Sequence, residues 1–230
     1  MITENVRIIR EKIYETATKF GRDPTDIILC AATKMNDASA VRSAIKAGVD
    51  CCGENRVQEL LTKQAQDAYA GVPVHFIGHL QTNKVRHVVG SVDLIQSVDS
   101  IHLLDAIQKE AAKQNIIQDI LLEINIAAEP TKHGFLPTEI LHICEIMTKF
   151  SNIRAKGIMA IPPKCKNQEE NDKFFQEMYK LSVDITTKKY DNVWVDIMSM
   201  GMSDDFVRAI MHGSTMIRIG TGIFGPRNHQ

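Results

Sequence analysis

The residues best equipped for chemistry stand near the ends of short apolar runs. Lys34 follows "DIILCAAT" (26–33), and Arg218 lies inside "MIRIG" (216–220), which breaks into Gly220-Thr221-Gly222. A lysine amine partly withdrawn from water loses basicity and can condense with a carbonyl to form an imine. Glycines let a backbone approach an oxyanion closely, and successive N–H groups make an anion-binding concavity. Thr221, and Ser199 at the start of "SMGMS" (199–203), add hydroxyl donors. A guanidinium keeps its proton, so Arg218 is suited to donate to a heterocyclic nitrogen and leave that nitrogen unprotonated. Together these groups match a phosphorylated aldehyde carrying a pyridine-type ring. Each also has a plainer reading: a solvated lysine, ordinary glycine turns, and an arginine paired with Asp196 or Glu123.

What must position them is an alternation of short and long segments. The apolar or β-branched runs predict strands at 26–33, 50–54, 74–78, 94–98, 120–125, 155–161, 193–200 and 216–220. Helical patterns lie between them near 37–48, 56–70, 82–90, 100–114, 137–150, 168–189 and 203–212, and a further helix at about 2–20 precedes the first strand. Parallel strands need crossovers, and eight βα units in a chain of 230 residues close most economically into one (β/α)8 barrel with an extra N-terminal helix. A doubly wound open sheet is the rival, but it usually carries a glycine-rich turn after its first strand, and "CAATKMNDASA" has no glycine. No linker divides the chain, so residues 1–230 read as a single domain. In a barrel, chemistry gathers at the C-terminal ends of the strands, and the loops after strands seven and eight build the usual phosphate site. "SMGMS" and "GTG" fall at those two places. Glu54, Asn55, His75, His79 and Asn125 fall at the ends of other strands.

Composition narrows the function class. The formal net charge is −1, which gives no electrostatic footprint for nucleic acid or an anionic membrane. Five cysteines without a C-x-x-C pair imply a reduced, cytoplasmic protein. The first twenty residues mix charged and apolar residues at helical spacing, unlike a signal peptide or a spanning segment. His75 and His79 lie at a strand end without H-E-x-x-H, so no metal site is expected. Cys51 and Cys52 read as core residues, and the methionines of "IMSMGM" as packing at the barrel mouth. Ser203 followed by Asp204 and Asp205 reads as a helix N-cap with an acidic first turn.

The motifs "ATK", "GENRVQE", "HFIGHLQTNK", "LIQSVDS", "LEINIAAEPTKHGF", "GIMAIPP", "SMGMSDDF" and "IRIGTGIFG", in that order, strongly resemble the pyridoxal phosphate homeostasis proteins. These are single-domain, fold-type III relatives of the N-terminal barrel of alanine racemase. The resemblance runs from about residue 30 to 227. It implies that Lys34 carries pyridoxal 5′-phosphate as an internal aldimine. It further implies that Ser199, Met200, Gly220 and Thr221 hold the phosphate, that Arg218 faces the pyridine nitrogen, and that Asn55 and His75 line the pocket. It implies a role in vitamin B6 homeostasis without robust catalysis, with the cofactor held for or passed to apo-enzymes that use it, by a monomer or weak dimer. Thr33, Asp37, Val74 and Gly222 depart from the residues common in the family at those places.

Residue chemistry bears on the same choice. Arg218 opposes ring-nitrogen protonation and so weakens the cofactor as an electron sink. Racemisation also needs acid/base groups on both faces of the substrate. Lys34 serves one face, while Tyr14, Tyr69, Tyr179 and Tyr190 fall in or beside predicted helices, away from the barrel mouth. A cofactor carrier without catalytic residues is therefore expected. The alternatives are a slow amino-acid racemase and a Schiff-base aldolase acting on a sugar phosphate.

Overall fold

Each apolar run becomes a strand. The computed structural model describes residues 1–165 and 167–226. The strands are β1 (Ile28–Ala32), β2 (Cys51–Glu54), β3 (Val74–Phe76), β4 (Leu94–Val98), β5 (Gln118–Ile124), β6 (Ile153–Ala160), β7 (Val193–Ser199) and β8 (Met216–Ile219). They form a closed barrel in sequence order, with β1 parallel to both β2 and β8. The predicted (β/α)8 architecture is the one observed. Crossovers put helices outside the barrel, so most strands are covered on both faces and need no polar alternation, whereas β7 alternates, with Trp194 and Asp196 exposed. Every residue of β2, β4 and β8 is buried, Arg218 among them.

The helices are α1 (Ile2–Lys19), α2 (Ala38–Lys46), α3 (Val57–Ala65), α4 (Ile101–Lys113), α5 (Ile140–Met147), α6 (Gln168–Lys188), α7 (Phe206–Met211) and α8 (Thr221–Phe224). Three start on side-chain caps: Asp37 accepts from Ala40 N–H, Ser100 from Leu103 N–H and Asn167 from Glu170 N–H. The helix expected over 56–70 stops at Ala65, because Asp67 turns into the left-handed region at φ 51°. The helix expected over 82–90 is instead a 3-10 segment, Thr82–His87, closed by bonds such as Val88 N–H to Val85 O. Val85, Val88 and Val89 are buried at helical spacing, but their β-branched side chains favour the helix weakly in so short a connection.

Chain packing divides into two compact units, Met1–His75 with the segment from Met200 onward, and Phe76–Ser199. In the first, α1 buries Val6, Ile9, Ile13 and Ala17 and packs against α2, α7 and α8. Asn5 Nδ2 donates to Ile223 O at 2.8 Å, and Arg22 Nη1 donates to Ile210 O at 2.7 Å. The extra N-terminal helix therefore braces the elements that follow Met200. In the second unit, β6 passes so close to β7 that a Cβ on Gly157 would lie 1.8 Å from Ile197 O. Among the described residues, no helix is long and apolar enough to cross a membrane.

Candidate functional site

Lys34 is placed by the end of β1. Thr33 N–H donates to Gly53 O at 2.9 Å and continues the β1–β2 ladder one residue beyond the strand. The chain then turns: Asn36 N–H reaches Thr33 O at 3.1 Å, and Met35 adopts φ 62° with its N–H on Glu59 Oε2 at 2.7 Å. Lys34 itself is half-buried. Beneath it lies a buried polar network that the sequence reading does not foresee. Glu54, wholly buried, accepts from Lys63 Nζ at 2.6 Å, from Tyr69 Oη at 2.9 Å and from the Thr33 hydroxyl. Lys63 Nζ also donates to Thr33 O at 2.8 Å. Buried charges persist where they are paired and hydrogen-bonded, and this pair fixes the residue next to Lys34. Burial and the Glu54 charge push the Tyr69 hydroxyl well above its ordinary pKa. The expectation that all four tyrosines lie away from the mouth is corrected here: Tyr69 reaches the carboxylate at the C-terminal end of β2, with its proton engaged there.

Across from Lys34 stands the segment after β8. A cavity of about 250 Å³ is lined by Lys34, Met35 and Asn36 on one wall and by Gly220, Thr221 and Phe224 on the other. Next to the second wall two donors converge on one atom: Gly222 N–H donates to Ser203 Oγ at 3.0 Å, and Thr221 Oγ1 donates to it at 3.1 Å. The predicted N-cap role for Ser203 gives way. Helix α7 starts later, at Phe206, and Asp205 Oδ1 accepts from Met202 N–H at 2.6 Å, which leaves Ser203 free to face the Gly-Thr-Gly loop. Gly201 lets the loop after β7 fold closely onto α7: it holds φ 95°, and a Cβ there would come within 2.6 Å of Ala209 Cβ.

The other predicted residues take several positions. Met200 is wholly buried and its N–H donates to Met216 O at 3.1 Å, so that group is committed to the barrel ladder. Ser199 is also buried, and its hydroxyl donates to Gln96 Oε1 at 2.7 Å. Asn55 follows β2 with its Oδ1 buried and without a partner among the described residues. Arg218 is 4% exposed and shares a level with Cys30 through the β1–β8 register. Cys30 is in turn aligned with Cys51 on β2, whose Sγ lies 3.6 Å from Nδ1 of His75 on β3. A proton shared with Cys51, together with nearby His75 and Arg218, lowers the Cys30 thiol to about 6 while raising that of Cys51. Asp196, one suggested partner for Arg218, pairs with Lys156 at 3.2 Å.

Lys63 is the residue that sequence reasoning missed, together with the roles of Ser203, of Glu54 and of the aligned cysteines. One signal was available. Thr33 and Glu54 both close apolar runs of the sequence, and the same offset of 21 residues superposes Cys30 on Cys51.

The family model for the alanine racemase N-terminal domain matches residues 2–228. A protein of Aquifex aeolicus named pyridoxal phosphate homeostasis protein is 38% identical, over 98% of both chains. This chain belongs to the pyridoxal phosphate homeostasis protein family. A protein of that name from Pseudomonas aeruginosa is 34% identical, over 99% of this chain and 96% of its own. The structure of PipY from Synechococcus elongatus, described with PLP bound, superposes with a TM-score of 0.84 at 28% identity, covering 98% of this chain and all of that one.

Proposed function

We propose that this chain binds pyridoxal 5′-phosphate covalently, through a bond from Lys34 Nζ to the aldehyde carbon, and serves vitamin B6 homeostasis as a carrier. The observation that carries the reading is one cavity with a half-buried amine on one wall and Gly220-Thr221 on the other, next to the point where the Thr221 hydroxyl and the Gly222 amide converge. The residues present fit the cofactor. Gly220, Thr221 and Gly222 offer donors to a phosphate oxygen at the point that Ser203 Oγ fills, and Ser203 turns to join them as a donor. On this reading Ser199 and Met200, which open the glycine-containing stretch before Ser203 in sequence, also belong to the phosphate-holding residues. The orphaned Asn55 Oδ1 is an acceptor for a ring substituent, and His75 supports the ring side of the pocket. Arg218 donates to the ring nitrogen and keeps it unprotonated. When bound, the cofactor supplies a reactive carbonyl and a modest electron sink. The names of the relatives and the PLP-bound PipY support the same ligand class.

The carrier reading follows from what surrounds that carbonyl. Arg218 blunts the sink, and the Tyr69 hydroxyl, which shares the Glu54 carboxylate with Thr33 beside Lys34, is occupied there. On this reading the single barrel acts in the cytoplasm as a monomer or weak dimer and passes cofactor to apo-enzymes. The second reading, a slow amino-acid racemase, is favoured by the family model. Borohydride reduction of cofactor-loaded protein followed by peptide mapping should place the adduct on Lys34, and Lys34→Ala should abolish both the adduct and the yellow colour. An adduct elsewhere defeats the covalent proposal. Loss of the alanine α-proton in deuterated water at ordinary enzymic turnover defeats the carrier and selects the racemase.

A further inference from the structure

The layer of side chains beneath the mouth contains a second set of groups with its own chemistry. Cys30 on β1 and Cys51 on β2 are direct neighbours in the barrel register, and His75 comes from β3. All three are buried, at 0%, 2% and 7% exposure. One ligand atom from each, two sulfurs and an imidazole nitrogen, lies within 4.8 Å of the others. We propose that Cys30, Cys51 and His75 form a binding site for a zinc ion, sharing His75 with the proposed cofactor pocket but not using the Lys34 amine.

The geometry supports the assignment. Zinc bonded tetrahedrally at about 2.3 Å to sulfur and about 2.0–2.1 Å to nitrogen sets the two ligand atoms about 3.6 Å apart. Cys51 Sγ and His75 Nδ1 are 3.6 Å apart before any ion is added. The ligands stand on three adjacent barrel strands, so the scaffold holds their spacing without a flexible loop. Two thiolates and one imidazole select a soft or borderline cation over magnesium or calcium, which take oxygen ligands. Two thiolate charges also neutralise Zn²⁺, so Arg218 beside Cys30 meets a site of no net charge. Three protein ligands leave the fourth position for water or an exogenous donor, the pattern of an open zinc site. Loading balances simply: each thiol that is protonated gives up its proton to solvent as the sulfur–metal bond forms, with no oxidation step.

The test is a cobalt(II) titration of reduced, chelator-treated, cofactor-free protein, with zinc added back as competitor. The expected result is one equivalent of cobalt per chain. It should show thiolate-to-cobalt charge transfer and the intense visible bands of a four-coordinate ion, both displaced by zinc. Cys30→Ser, Cys51→Ser and His75→Ala should each weaken binding by more than about 100-fold, beyond the loss typical of outer-shell changes. Cys52→Ala, next in sequence but pointing to the other face of β2, should keep it. Lys34→Ala should also keep it, so failure of the zinc site and failure of the covalent Lys34 proposal are told apart. Should the cysteine variants fail to fold, X-ray absorption on zinc-loaded wild type decides, with two sulfurs at about 2.3 Å and one nitrogen at about 2.0–2.1 Å expected. No charge-transfer band, retention of the band in Cys30→Ser, or an all-nitrogen/oxygen shell overturns the site. Protein recovered with a Cys30–Cys51 disulfide that takes up metal no better after reduction overturns it as well.

Discussion

Replacing Lys63 with methionine tests the buried network that sets the end of β1. The ammonium is 7% exposed and sits 2.6 Å from a carboxylate that is 0% exposed. Methionine keeps most of the stem's packing but removes the counter-charge of Glu54 and the donor to Thr33 O. Breaking one side of a buried pair costs about 3–5 kcal/mol, because the remaining charge has neither water nor partner. Glu54 Oε2 has no partner among the described residues, which leaves no spare donor in reserve. For a chain of this size the loss corresponds to a fall in Tm of roughly 6–20 °C. The paired variant Glu54→Gln with Lys63→Met should recover about 2 kcal/mol, since a neutral amide still accepts from Thr33 and Tyr69 without a buried charge. Urea unfolding read by tryptophan fluorescence gives both values from the shift in midpoint at constant slope. A loss below about 1 kcal/mol in Lys63→Met, or a paired variant no more stable than the single one, would refute the reasoning from desolvation.

Three further outcomes are expected. Ser203→Ala removes the atom on which Gly222 N–H and Thr221 Oγ1 converge; affinity for pyridoxal phosphate should drop about 2- to 13-fold, with unphosphorylated pyridoxal unaffected, as measured by absorption titration. Gly157→Ala sets a Cβ 1.8 Å from Ile197 O, so β6 and β7 must separate; soluble yield and Tm should fall sharply, and a wild-type melting curve would show the strand approach to be misjudged. Burial raises the Cys144 thiol from its ordinary 9.0 to about 12, so the folded state holds that proton more tightly than the unfolded chain does. Its contribution to stability is complete below the unfolded value and fades as pH climbs from 9 toward 12. The unfolding free energy should decline over that range, and Cys144→Ala should make the decline shallower by about 1.4 kcal/mol per pH unit.

How much was legible beforehand depended on how local the signal was. The strand at 94–98 was read to the residue, and the one at 193–200 to within one, because apolar runs bounded by turn residues carry their own boundaries. Lys34 and the Gly-Thr-Gly segment were placed at one rim by the order of eight βα units alone. Ser203 was misassigned for an equally local reason: Ser-Asp-Asp before an apolar run is a standard helix start. Its displacement by Asp205 depends on where the loop after β8 passes.

The amino-acid sequence by itself determined the barrel, its extra N-terminal helix and the pairing of an amine with a glycine-rich anion loop, since periodicity and turn chemistry act over a few residues. Only the tertiary structure decided which polar groups meet. Glu54 with Lys63 and Tyr69, Ser203 with Thr221, and Cys30 with Cys51 and His75 are joined by barrel register and by loops brought together in space. Those contacts depend on strand register and on the paths of the loops, which hydrophobic periodicity does not encode.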